Sequence, residues 1–271
     1  MSFIELHAAS AFSFLEGADT PETIVAEAAR LDMPAVALVD RDGVYGAPRF
    51  YRAAVDAGLK ALVGSEITLA DGSRLPLLVE DREGYQHLCR LLTRFKLGAP
   101  KGVASATLDD LAPYADGLVC LTGGARGPLA AKVAAGDFDG ARATLDRLVG
   151  IFGRDSCFVE IQRHGDRTEE RDLERLVILA RRAGVRLVAT NHPLYARSYG
   201  RAIADVFTCL REKIPLDQAG RRLARNSERL LKSPRDMARL FADLSGAIDT
   251  TGELAMRLGF TLKDLGYRFP E

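Results

Sequence analysis

Three of the four histidines in this chain, His7, His164 and His192, each follow a short apolar run, and the carboxylates Asp40 and Glu66 do the same. Imidazole and carboxylate donors suit zinc or manganese, and a metal held by them activates water for hydrolysis of a phosphate ester or an amide. A single histidine in such a place is ordinarily a hydrogen-bonded structural residue, so the constellation carries the argument. His87 lies mid-helix and reads as a surface or half-buried residue. The Gly123-Gly-Ala-Arg-Gly-Pro128 stretch offers backbone amides to a phosphate, but it matches neither a Walker loop nor a dinucleotide fingerprint and reads as a turn. Ser10 and Ser13 lack the context of a nucleophile elbow, and no Ser-His-Asp arrangement is arguable.

The elements that must position these residues alternate. Strand-like runs at 2–7, 35–39, 60–69, 75–79, 117–121, 157–161 and 185–190 are separated by segments of helical spacing. Thr20 reads as an N-cap with Pro21 at the first helical position, and Gly58 and Gly184 read as helix stops. Asp71-Gly72 is a hairpin-type turn, and Pro76 in the run after it predicts an edge strand. A long helical stretch is expected from Gly123 to Gly153. The pattern predicts a mainly parallel α/β fold closed like a barrel, with the chemistry at the carboxyl ends of the strands. Residues 1–210 form the expected barrel domain and 211–271 a helical appendage. Residues 211–235 carry eight Lys/Arg against three Asp/Glu, which reads first as a solvated helical face.

Composition narrows the classes. The chain has 271 residues, enough for one sizeable core, and its net charge is zero, so it is not as a whole an electrostatic binder of nucleic acid. No run of 18 apolar residues suggests a membrane span, and no secretory signal is visible. Cys89, Cys120, Cys157 and Cys209 are scattered, which predicts reduced thiols and a cytoplasmic protein.

The chain resembles a PHP domain, the polymerase-and-histidinol-phosphatase module, and within it the type found at the N-terminus of bacterial C-family DNA polymerases. The stretches that carry the resemblance are 5–18, 37–46, 63–66, 83–85, 158–165 and 188–191. The stretches 205–211, 223–229 and 266–270 are similar to the error-prone, translesion branch. This implies a distorted (β/α)7 barrel. It also implies a metal set of His7, Asp40, Glu66, His164 and His192, in which several family positions are lost. Ala9 stands where a second histidine of the first motif is expected, Arg41 follows Asp40 in place of a histidine, and His192 and Leu194 replace an aspartate and a histidine. A multinuclear centre needs most of its ligands, and a cation beside it repels metal. The leading expectation is therefore a vestigial site with no metal, the alternative a residual zinc or manganese. Arg41 is expected to stand near Asp40 and Glu66 as an internal cation.

The resemblance implies the N-terminal domain of an error-prone DNA-directed DNA polymerase, with an architectural, partner-docking role. Its partners would be the polymerase body of the same chain, DNA through the full-length protein, and other replication or damage-tolerance proteins. The polymerase carboxylates would lie in a further domain, so the 271 residues read as a piece of a longer protein. The competing reading is a metal-dependent phosphoesterase or 3′–5′ exonuclease using the five ligands. A small-molecule hydrolase on an unrelated barrel is the third.

Overall fold

Apolar runs rich in Val, Leu and Ala become seven strands in the computed structural model, which describes residues 3–97, 99–100 and 105–265. They are β1 (Glu5–Ala8), β2 (Ala35–Arg41), β3 (Lys60–Thr68), β4 (Arg74–Val79), β5 (Leu118–Leu121), β6 (Cys157–Ile161) and β7 (Arg186–Ala189), and they lie in one sheet in chain order. The first three are mutually parallel, as are the last three; β4 runs antiparallel to both neighbours. Gly72, at φ 82°, supplies the left-handed residue that the turn into β4 needs. Pro76 therefore lies in an interior strand and not at the edge that its proline suggests. It is tolerated because the ladder to β5 begins only at Leu77.

The sheet curls into the expected distorted barrel, but among the described residues no ladder joins β7 back to β1. Individual hydrogen bonds cross that seam without forming a ladder. The Asn191 amide donates to Glu5 Oε2 at 2.9 Å, and the Ala9 amide donates to the Pro193 carbonyl at 3.1 Å. Inside the barrel, Ile4, Leu6, Val39, Leu62, Val119 and Leu121 form one apolar cluster, while two others fill the space between the sheet and its helices. Burial on both faces explains why the parallel strands read as continuous apolar runs.

The helices are α1 (Pro21–Arg30), α2 (Ala47–Asp56), α3 (Arg82–Leu97), α4 (Leu108–Leu111), α5 (Pro128–Ala134), α6 (Phe138–Phe152), α7 (Arg167–Ala183), α8 (Gly200–Glu212), α9 (Leu216–Ala219), α10 (Pro234–Leu240) and α11 (Ser245–Arg257). Thr20 caps α1 with Pro21 in its first turn, and Gly184 ends α7 at φ 63°. The long helical stretch expected to end at Gly153 is two helices, because Gly136 at φ 79° breaks it and the Asp137 side chain caps α6. The cap α11 closes the amino end of the barrel, where its Leu254 and Ala255, with Leu258 just past its end, join the interior cluster. Thr251 Oγ1 accepts from the Ile4 amide at 3.0 Å, and the Ala255 carbonyl accepts from Lys60 Nζ at 2.6 Å. Among the described residues no helix is long and apolar enough to cross a membrane. The 266–270 stretch, and residues 98 and 101–104 of the loop after α3, lie outside the described residues.

Candidate metal centre at the carboxyl end of the barrel

His7 lies next to the end of β1 and is fully buried. Its Nδ1 lies 2.8 Å from Glu160 Oε1 on β6, and its Nε2 lies 3.4 Å from Glu66 Oε1 on β3. Burial opposes the charged imidazole, but Glu160 and Glu66 outweigh it and raise its pKa to about 10. Burial would likewise raise Glu160, yet His7 holds that carboxyl below its usual range. Thr190 Oγ1 and Gln162 Nε2 also donate to Glu160 Oε1. His192 follows β7 with its backbone at φ 43°, a left-handed conformation uncommon outside glycine. Its ring stacks on His7 with centroids 4.0 Å apart and planes 6° from parallel. Burial, then the charges of His7 and Arg229, hold His192 well below the usual imidazole range. A charged ring thus stacks on a neutral one.

Ligand atoms of His7, Glu66 and His192 all lie within 4.8 Å of one another, and His7 Nε2 is buried without a hydrogen-bond partner. Two imidazoles and one carboxylate form a group that can hold a single ion. Among the described residues nothing similar surrounds Asp40 or His164. Asp40 accepts from the Ser10 amide and Oγ and from Ser13 Oγ, which ties β2 to the loop after β1. Burial raises its pKa in spite of those donors. His164 pairs through Nδ1 with Glu169 Oε1 at 2.6 Å, and its Nε2 lies 2.9 Å from the Asn191 carbonyl, so both ring nitrogens are engaged. Ala9 spends its amide on the seam, and Leu194 lines a cavity of about 170 Å³ beside His192, Arg126 and Arg229.

Guanidinium groups occupy the rest of the mouth. Arg74, at the start of β4, lies 3.2 Å from Glu66 Oε2 and makes two bonds to Glu16 at 2.5 and 2.7 Å. Arg229 Nη1 lies 3.2 Å from His192 Nδ1. If that contact donates to Nδ1 of the neutral ring, the ring's own proton sits on Nε2 and neither nitrogen is free for a metal. Arg126 reaches Glu16 at 3.2 Å. Arg41 does not take the place expected for it: its Nη1 binds Glu16 at 2.7 Å and its Nη2 donates to the Phe14 carbonyl. Successive strand residues face opposite sides, so Asp40 and Arg41 diverge, and the cation against Glu66 is Arg74.

The spacing reading missed Glu16, Arg74, Glu160 and Arg229. Glu160 had a signal, a carboxylate inside the otherwise apolar run of β6, where burial demands a partner. Arg74 had one in the hairpin, which returns β4 from the rim where β3 ends. Arg229 is delivered by a segment that lies against the end of β7. The Leu194 amide donates to the Arg229 carbonyl, and Asn191 Nδ2 donates to the carbonyls of Glu228 and Leu230. The basic segment is thus partly a lining of the mouth.

Sequence comparison agrees with this geometry. The PHP domain family matches residues 5–164. An error-prone DNA polymerase of Mycolicibacterium paratuberculosis is 38% identical over 99% of this chain and 26% of its own length. Error-prone DNA polymerase 1 of Rhizobium meliloti is 34% identical over 99% of this chain and 24% of its own length. The chain thus spans about a quarter of the length of these curated relatives. Among solved structures, an amidohydrolase from Chromobacterium violaceum superposes with a TM-score of 0.47 at 17% identity, covering 70% of this chain and 86% of that one. With more than half its length matched, and with a His/Glu cluster at the carboxyl end of a curled seven-stranded sheet, this chain belongs to the PHP domain family.

Proposed function

We propose that the chain is the N-terminal PHP domain of an error-prone C-family DNA polymerase, and that its own task there is architectural. Similarity over 99% of the chain to such polymerases supports the first part. The observation that carries the second is the pairing of Arg74 with Glu66 and of Arg229 with His192, which engages two of the three grouped donors. A metal at His7 would also have to displace a proton held by Glu160 and Glu66. The arginines supply as fixed hydrogen bonds the positive charge that an ion would bring. DNA and other replication or damage-tolerance proteins would be met through the full-length polymerase.

The test is elemental analysis after incubation with zinc or manganese and desalting. Wild-type protein is expected to retain almost none, whereas Arg229→Ala, which frees His192 Nδ1, is expected to retain more zinc. One or more ions per wild-type chain would overturn the metal-free reading. The buried His7 Nε2, 3.4 Å from Glu66 Oε1 but without a close hydrogen bond, favours a second reading, a metal-dependent phosphoesterase or 3′–5′ exonuclease. There His7, Glu66 and His192 would hold the ion, which would supply an activated water. Manganese-stimulated phosphate or nucleotide release, lost in His7→Ala, would support that reading.

A further inference from the structure

Helix α8 carries an apolar stripe on its outer face. Its polar side chains turn toward the barrel mouth: Arg201 binds Asp205 and the Asn226 carbonyl, and Arg211 donates to the Leu15 carbonyl. Cys209 is buried, but a set of larger apolar side chains turns outward. Tyr199, Ile203, Val206 and Leu210 are 60%, 41%, 48% and 58% exposed, and their spacing of four, three and four residues places them on one helix face. Leu216, 57% exposed, extends the stripe past the end of the helix. A shallow groove follows, lined by Val206, Leu210, Ile214 and Leu216. Single exposed apolar side chains are ordinary, but a continuous stripe marks a contact surface.

Building on the reading of this chain as a polymerase domain, we propose that the outward face of α8 docks on the remainder of the polymerase chain. The relatives are about four times as long as this segment, so a polymerase of this kind carries a further body roughly three times its size that is available to cover the stripe. The stripe is on the outer side of the helix whose inner side braces the mouth. Docking there would couple the polymerase body to Arg201 and Arg211, and through Leu15 to the loop that carries Glu16.

The experiment is carbene photolabelling with peptide mass spectrometry on the full-length polymerase and on the 271-residue segment alone, at equal concentration. Labelling of Ile203, Val206 and Leu210 is expected to fall at least fivefold in the full-length chain. In the full-length chain, the double variant Val206→Arg, Leu210→Arg is expected to restore labelling at Ile203, which it leaves in place, without changing the melting temperature of the segment. Equal labelling in both chains would overturn the proposal. If deleting the segment still destabilised the polymerase in that case, the body would dock elsewhere and the architectural reading would survive. If deletion had no effect, both would fail. Protection in the isolated segment, with a dimer mass in sedimentation, would assign the face to a second copy and also overturn the proposal.

Discussion

Glu16 receives guanidinium groups from Arg41, Arg74 and Arg126 on a side chain only 5% exposed. Burial pushes its pKa up, but Arg74 and its two companions prevail and lower it to about 2 from 4.5. A depressed carboxylate stabilises the fold fully above its unfolded value and loses that contribution as pH falls through the folded one. The shift corresponds to about 3 kcal/mol, present at pH 7 and lost between about pH 4.5 and pH 2. In urea unfolding, wild type is expected to exceed Glu16→Gln by about that amount at neutral pH, with the gap closing across that acid window. A gap independent of pH would mean that the carboxylate charge is not what stabilises the mouth. Glu16 lay in plain view in the first motif, ten residues past Leu6. Its importance was not legible there, because its partners come from positions 41, 74 and 126 and meet only after the sheet curls.

At the scale of elements, the loop from β1 to α1 depends on one residue without a side chain. A Cβ on Gly17 would stand 2.0 Å from the Ser10 carbonyl oxygen, so the backbone would have to move. Gly17→Ala is expected to cost about 2 kcal/mol and to loosen the bonds from Ser10 and Ser13 to Asp40, read as faster amide exchange at Ser10. The cap α11 presents a second dependence. Leu254 is 2% exposed within the barrel cluster, and Leu254→Ala is expected to lower stability by about 3 kcal/mol, measured by denaturant titration. Strands and long helices were legible because burial on both faces, or on one stripe, leaves a period in the sequence. The inner position of Pro76 was not, since it depends on where a third strand begins to pair. Nor was the seating of α11, whose contacts with Ile4 and Lys60 join positions almost 250 and 200 residues apart.

For the whole molecule, the family and the barrel were readable from motif spacing, whereas the wiring of the mouth required the third dimension. The ligand losses at Ala9, Arg41 and Leu194 pointed to an altered centre, but the compensating arginines come from a hairpin and from the segment after α9. The seam between β7 and β1 has a consequence of its own. A ring of strands closed by ladders all round has no preferred place to breathe, but this one has a hinge line spanned by a carboxylate and by backbone bonds that form no ladder. Opening there would sacrifice few rungs, so β1 and β7 should exchange their amide protons by a lower-energy excursion than β3 and β4. His7 and His192 sit on opposite lips of that line. Each excursion would unstack the two rings and admit water between them, making a buried pair of the mouth also the first to be wetted.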